Sequence, residues 1–192
     1  ALPCDTGSHA AGGDTAGLAA AEVILARESS IFGLAHAPLA SVAVAATSLV
    51  ASKPSTLSFE QASTLPVAWS TTHVAVERAA LRATCSMMVQ AAVGGVGLKA
   101  VEYALWLRAL PAGSAGRSHK HAHLSATGVG TPCSSRDGAA LAAGATRLLC
   151  GTRFSALLNS LSLDFISASF ALLGEGGAFE EIGKRSIWAS GR

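Results

Sequence analysis

The feature that most constrains the fold is an apolar segment that runs into a glycine-rich turn and then into a helical segment. Residues 86–92 predict a buried strand, residues 93–97 hold three glycines, and residues 98–107 place apolar side chains on one helical face. Glycines let the backbone approach a phosphate closely, and a helix start presents unpaired N–H groups. This order of elements is therefore typical of a site for a dinucleotide pyrophosphate. A tight turn with no ligand is the alternative, because a glycine pattern alone is weak evidence.

The alternation of strands and helices continues along the chain. Further strands are predicted at 109–115, 130–134, 154–158 and 178–182, and helices at 118–126, 138–149 and 162–173. Gly174 is expected to end the last helix, and Pro111 weakens the first of these strands. The alternation predicts an α/β fold, a Rossmann-like, doubly wound parallel sheet with right-handed connections.

The region before residue 86 has a different pattern. Strands are predicted at 18–25, 30–34 and 39–44. Ser58 and Gln61 form a capping-box pattern, which predicts a short helix from residue 59. Pro66 suits the first turn of a second helix that runs to about residue 81.

Composition excludes several classes of protein. The 192 residues are 50% hydrophobic and 14% charged, which excludes a disordered chain. A net charge of +2 indicates no nucleic-acid partner. Residues 31–51 carry no charge, but they include Pro38 and alternate in places, so we expect a strand and no membrane span. The four cysteines lack metal-ligand spacing, so we expect no metal site and reduced thiols.

The residues after the second predicted strand of this sheet indicate which dinucleotide is bound. An NAD-selective site places a carboxylate about 20 residues after the glycines. This chain has Arg117 and Lys120 there and no acid. Cations are suitable partners for a 2′-phosphate, so NADPH is favoured over NADH. The alternative is a solvated basic start of a helix.

Several of these segments resemble known proteins. Residues 91–98 resemble the cofactor loop of medium-chain dehydrogenase/reductases. Residues 158–161 and 172–185 are similar to the enoyl reductase domain of modular polyketide synthases and animal-type fatty acid synthases. Residues 53–67 resemble that domain's linker and first helix, and residues 13–18 and 31–35 resemble strands of its GroES-like catalytic domain.

The resemblance implies NADPH-dependent reduction of a 2-enoyl thioester carried by an acyl carrier protein. Hydride goes to the β-carbon and a proton goes to the α-carbon. The implied partners are other synthase domains in the same polypeptide, a homodimer is compatible with it, and the implied location is the cytoplasm or a plastid. Two alternatives are a free-standing quinone or enone oxidoreductase of the same superfamily and a non-catalytic remnant that keeps the fold.

The resemblance also implies roles for individual residues. Glycines would hold the pyrophosphate, Arg117 and Lys120 would meet the 2′-phosphate, and Thr71 and Asn159 would lie near the nicotinamide. The implied cofactor-binding set is Thr71, Val93, Gly94, Gly95, Val96, Gly97, Arg117, Lys120, Ser135 and Asn159. Lys120 and Asp137 are the implied proton donors. Phosphate binding is the better assignment for Lys120, and a helix N-cap is the alternative for Asp137.

The expected domains are a tail at 1–12, a partial GroES-like catalytic domain with linking helices at 13–78, and an NAD(P)-binding Rossmann domain at 79–192. Compared with the family, the first part of the catalytic domain, a sixth strand and the C-terminal return are missing. Tyr103 is the one tyrosine, and its place in the first helix of the cofactor domain excludes it as the family's active-site tyrosine. We therefore expect a fragment of a larger synthase, or an abbreviated copy whose activity is in doubt.

Overall fold

The computed structural model describes residues 30–35, 43–130, 132–162 and 164–183. The chain divides into two compact units between Leu57 and Ser58. The two helices that the sequence analysis grouped with the catalytic domain therefore lie in the second unit. The predicted domain limit at residue 78 stays a prediction. The strand predicted at 18–25 lies outside the described residues.

The first unit contains a small antiparallel sheet in its described part. Strand β1 (Ile31–Gly33) pairs with β2 (Val50–Ser52), and a short 3-10 helix, Thr47–Leu49, precedes β2. A Cβ on Gly33 would overlap the Leu49 carbonyl oxygen, so only glycine fits this pairing. The strand predicted at 30–34 is confirmed. In the described part of the strand predicted at 39–44, residue 43 belongs to no element and residue 44 makes only an isolated β-bridge.

The second unit begins with two helices, α1 (Phe59–Ser63) and α2 (Leu65–Arg78). The predicted capping box is present: Ser58 Oγ accepts from the Gln61 N–H at 3.2 Å, and Gln61 Oε1 accepts from the Ser58 N–H at 2.9 Å. Pro66 lies in the first turn of α2 as expected.

The rest of this unit is a five-stranded parallel sheet with helices on both faces. Its strands are β3 (Ser86–Val89), β4 (Leu110–Ala115), β5 (Cys133–Ser134), β6 (Phe154–Asn159) and β7 (Leu173–Glu181). Its helices are α3 (Gly95–Trp106), α4 (Ser118–Ala126), α5 (Gly138–Leu149) and α6 (Asp164–Leu172). The strand order β5-β4-β3-β6-β7 changes direction at β3, the pattern of a doubly wound nucleotide-binding sheet, which confirms the predicted fold class.

Each face of the sheet has its own buried core. Met87 in β3 packs on one face with Val101 of α3 and Leu124 of α4. Met88, the next residue of the strand, packs on the other face with Leu141 of α5. Successive side chains of a strand point to opposite faces, so a central strand covered on both sides must be apolar throughout.

Several local expectations were wrong. Strand β7 begins at Leu173 rather than at residue 178. Helix α3 begins at Gly95 rather than at residue 98, and β3 ends at Val89 rather than at residue 92. Gly174 lies inside β7 and does not separate a helix from a strand. The sequence places Leu105 on one apolar face of α3 with Ala100, Val101 and Ala104, but Leu105 is 39% exposed while the other three are buried. At the start of α3, close packing of Gly97 on Ala91 and Ala92 overrides the low helix propensity of glycine.

Strand β4 tolerates Pro111 because of where its neighbours pair. Pro111 lies opposite Met87 of β3, while pairing with β5 begins only at Ser114. The missing N–H of the proline therefore removes no hydrogen bond to β5. In β5, burial raises the pKa of the Cys133 thiol to about 11, so Cys133 is an uncharged core residue at neutral pH.

Candidate cofactor site

The glycine-rich turn is anchored to the neighbouring strand β4. The Ala91 N–H donates to Ser114 Oγ at 3.2 Å, and the Ala92 N–H donates to the Ser114 carbonyl oxygen at 2.9 Å. The turn closes on itself when the Gly94 N–H donates to the Ala91 carbonyl oxygen at 2.8 Å. Ala91 has φ of +47°, a left-handed conformation that side chains rarely adopt. The turn is thus hydrogen-bonded both to β4 and to itself.

The three glycines of the turn have different roles. A Cβ on Gly97 would lie 2.7 Å from both the Ala91 carbonyl oxygen and Ala92 Cα, so Gly97 lets α3 pack directly on the turn. Gly94 is the N-cap of α3. A Cβ on Gly95 would have no neighbour within 4 Å, which leaves open space beside the helix start. The close packing at Gly97 and the open space beside Gly95 suit the approach of a pyrophosphate to the helix start.

A cleft of about 130 Å³ joins the ends of three successive strands. Its lining residues are Ala91, Val93, Gly94, Ala115, Gly116, Lys120 and Ser135. Four of the predicted cofactor residues therefore meet here: Val93, Gly94, Lys120 and Ser135. No carboxylate is among the lining residues. Arg117, next to the lining residue Gly116, is exposed at the start of α4.

The sequence analysis missed one cation beside this cleft. Arg136 Nε donates to the Gly116 carbonyl oxygen at 3.1 Å, and the Arg136 N–H donates to Ser134 Oγ at 3.2 Å. These contacts hold Arg136 at the ends of β4 and β5. The sequence signal that could have identified Arg136 is its position directly after the strand predicted at 130–134.

Asn159 lies at the end of β6, on the opposite side of β3 from the cleft. It is fully buried, and its Oδ1 atom has no hydrogen-bond partner. Its Nδ2 donates to Glu181 Oε2 at 2.5 Å and to the Leu161 carbonyl oxygen at 2.8 Å. The sequence analysis singled out Asn159 and missed Glu181, which lies 22 residues further on and meets Asn159 only through strand pairing.

Two neighbouring threonines of α2 differ in burial and contacts. Thr71 is half-buried, and its position near the nicotinamide stays a prediction. The neighbouring Thr72 is fully buried, and its Oγ1 donates to the Val96 carbonyl oxygen at 3.4 Å. Thr72, which the sequence analysis did not select, therefore connects α2 to the glycine turn.

Asp137 is the N-cap of α5. Its Oδ1 accepts from the Ala140 N–H at 2.8 Å, and it is exposed outside the cleft lining. The alternative assignment, a helix cap, is thus present in the structure. Its role as a proton donor stays a prediction.

A cap and a proton donor respond differently to substitution. If Asp137 acts as a cap, Asp137→Ala should lower the free energy of unfolding by about 1 kcal/mol. Asp137→Asn keeps the acceptor oxygen and should lower it by less than half as much. Urea unfolding measures both. Loss of turnover in both variants, with stability unchanged, would contradict the cap assignment and support proton donation.

A second cavity, of about 530 Å³, lies between α2 and α3 and is separate from the cofactor cleft. The ring-bearing side chains that line this cavity are Trp69, His73, Tyr103 and Trp106. Tyr103 Oη lies 3.1 Å from His73 Nδ1. Tyr103 therefore lines this cavity and not the cofactor cleft, consistent with its exclusion as an active-site residue. Among the described residues, no group of three metal-ligating side chains occurs, and no helix is long and apolar enough to cross a membrane.

The site fits a dinucleotide on its own geometry. Gly97 lets the backbone of α3 lie close to the turn, and Gly95 leaves open space beside the helix start. Cations lie at the ends of β4 and β5. The Oδ1 atom of Asn159 is a buried acceptor with no hydrogen-bond partner. These groups lie along the carboxyl edge of a parallel sheet, where its topology reverses and ligands bind.

No protein-family model matches the chain. Among curated proteins, it is 39% identical over 166 residues to the spectinabilin polyketide synthase system protein NorB of Streptomyces orinoci. That match covers 85% of this chain and 7% of the length of the synthase, so the chain spans a small part of its relative.

Solved structures define the family. The nucleotide-binding subdomain of the enoylreductase domain of PpsC from Mycobacterium tuberculosis is 30% identical, with a TM-score of 0.61 over 66% of this chain and 70% of that one. The chain belongs to the enoyl reductase domains of the medium-chain dehydrogenase/reductase superfamily. The quinone oxidoreductase from Thermus thermophilus, solved also in complex with NADPH, is 28% identical, with a TM-score of 0.65 over 74% of this chain and 45% of that one. These solved neighbours are thus oxidoreductases of the enoyl reductase and quinone oxidoreductase types.

Proposed function

We propose that this enoyl reductase domain binds NADPH and serves reduction of the 2,3-double bond of an enoyl thioester on an acyl carrier protein. The observation that carries the cofactor choice is the cleft at the ends of β4 and β5. It is lined by Lys120, flanked by Arg117 and Arg136, and contains no carboxylate. A dianionic 2′-phosphate is favoured in such a site, and a ribose 2′-hydroxyl gains little from it.

The turn would hold the pyrophosphate. Exposed backbone at Gly94 and Gly95 begins α3, where unpaired N–H groups and the positive end of the helix dipole favour an anion. Because the turn is bonded to Ser114, this site is formed before a ligand arrives, and little ordering cost is expected on binding.

Lys120 has one role in this proposal. It lines the cleft beside Gly116 and Ser135, on the side of the sheet that would take the adenosine half. The reacting carbon atoms of a substrate would lie at the other end of the dinucleotide, near β6. We therefore assign Lys120 to the 2′-phosphate and not to proton donation.

When bound, the nicotinamide supplies hydride to the β-carbon of the thioester. The α-carbon then needs a proton, for which Asp137 stays the predicted donor. The substrate and the carrier follow from the family resemblance. The NorB relationship supports further synthase domains in the same polypeptide, and a homodimer stays a prediction.

Cofactor titration tests the proposal. The 192-residue chain is titrated with NADPH and with NADH while quenching of tryptophan fluorescence is followed. We expect NADPH to bind at least about tenfold more tightly, which is the effect of one or two charge-assisted contacts. Absence of binding by either cofactor would overturn the proposed function.

Turnover separates the two enzyme alternatives. Oxidation of NADPH is followed with a crotonyl thioester and, separately, with a quinone. Reduction of the thioester alone supports the enoyl reductase. Reduction of the quinone alone supports the oxidoreductase alternative, and binding without either reaction supports a non-catalytic domain.

A further inference from the structure

The side chain of Asn159 is held in one orientation. Both amide hydrogens are used, one by the Leu161 carbonyl oxygen and one by Glu181 Oε2. Rotating the amide end for end would lose both hydrogen bonds, because oxygen cannot donate them. Oδ1 is consequently left buried and without a partner. An unpaired buried acceptor is unfavourable and needs an explanation.

Glu181 is the residue that imposes this orientation. Its carboxylate accepts from Asn159 Nδ2, and its other oxygen accepts from the Gly183 N–H at 2.5 Å. Asn159 and Glu181 are directly paired in the β6–β7 register. Since a carboxylate only accepts, it keeps Nδ2 facing it and leaves Oδ1 to another partner.

Asn159 lies on the nicotinamide side of the sheet edge. It ends β6 next to β3, since the Gln90 N–H donates to the Leu158 carbonyl oxygen at 3.1 Å. The cleft for the adenosine half lies at the ends of β4 and β5. A dinucleotide that crosses this edge brings its other half to β6, and that half carries a carboxamide N–H donor.

We propose that Glu181 is a positioning residue: it fixes the Asn159 side chain so that Oδ1 accepts a hydrogen bond from the carboxamide of the nicotinamide. This inference rests on the proposed function. It requires Oδ1, which is buried in this structure, to become accessible as the nicotinamide enters.

The test compares Glu181→Gln with Glu175→Gln, which removes the same charge from an exposed position of β7. The probes are NADP⁺ and its 3-acetylpyridine analogue, in which a methyl ketone replaces the carboxamide and removes the N–H donor. We expect the wild-type chain to bind NADP⁺ about fivefold more tightly than the analogue. In Glu181→Gln this ratio should fall towards one, because the new amide can donate to Asn159 Oδ1 and turn it away. Glu175→Gln should keep the wild-type ratio.

A third ligand separates the possible failures. Adenosine 2′,5′-bisphosphate lacks the nicotinamide half and reports only on the cleft. If the wild-type chain binds neither it nor NADP⁺, the proposed function fails. If the chain binds both ligands but Glu181→Gln keeps the wild-type ratio, the Glu181 assignment is wrong and the proposed function stands. Equal weakening of all three ligands in Glu181→Gln would show a purely structural role and also overturn the assignment.

Discussion

Gly97→Ala is expected to destabilise the domain, although alanine is the better helix former. The added methyl would lie 2.7 Å from the Ala91 carbonyl oxygen and from Ala92 Cα, and both are backbone atoms that cannot move aside cheaply. Helix α3 must then shift away from the turn. Overpacking of this kind costs about 1–3 kcal/mol, and more when backbone must move.

Gly95→Ala is the matched control for this prediction. It lies in the same first turn of α3, and its Cβ would meet nothing within 4 Å. Both substitutions share the gain in helix propensity of about 1 kcal/mol, so their difference isolates the clash. We expect Gly97→Ala to unfold at lower urea, with a free energy of unfolding about 3 kcal/mol below that of Gly95→Ala. Equal stability of the two variants would refute the packing role of Gly97.

Replacing Arg117 and Lys120 together by alanine is expected to change cofactor selectivity. The double variant should bind NADPH about 30-fold more weakly, because two charge-assisted contacts are lost at a site partly screened by solvent. Affinity for NADH should fall less than about threefold, since a ribose 2′-hydroxyl gains little from these cations. Fluorescence titration of both cofactors gives the two ratios.

The control removes the same charge from a different surface. Arg108 and Arg147 are both exposed and do not line the cleft. Their double alanine variant should keep the preference for NADPH. Equal losses for NADPH and NADH in the Arg117 and Lys120 variant would show that the 2′-phosphate assignment is wrong.

The sequence predicted elements well where local and tertiary preferences agree. Helix α5 has the predicted bounds, because Asp137 caps it and Leu141, Ala145 and Leu149 bury one face. The sequence-based prediction failed at the start of α3, where three glycines have low helix propensity. That start is stabilised by close packing on Ala91 and Ala92, which no local rule reveals.

The candidate site was predictable where its residues are adjacent in sequence. The glycine turn and the basic residues after β4 are local patterns, so they could be found without a structure. The contact of Asn159 with Glu181 depends on the pairing of β6 with β7. The position of Arg136 depends on the distance between two strand ends. Register and distance between strands are tertiary properties, which explains why Glu181 and Arg136 were missed.

The double attachment of the turn to Ser114 has a consequence for how cofactor preference can change. Ser114 is fully buried, and its two oxygens hold consecutive N–H groups of the turn. The surface proposed for the pyrophosphate and the strand end at Gly116 therefore keep a constant separation. Side chains beyond Gly116 can thus be exchanged to favour a different adenosine group while the proposed phosphate contacts of the turn are kept.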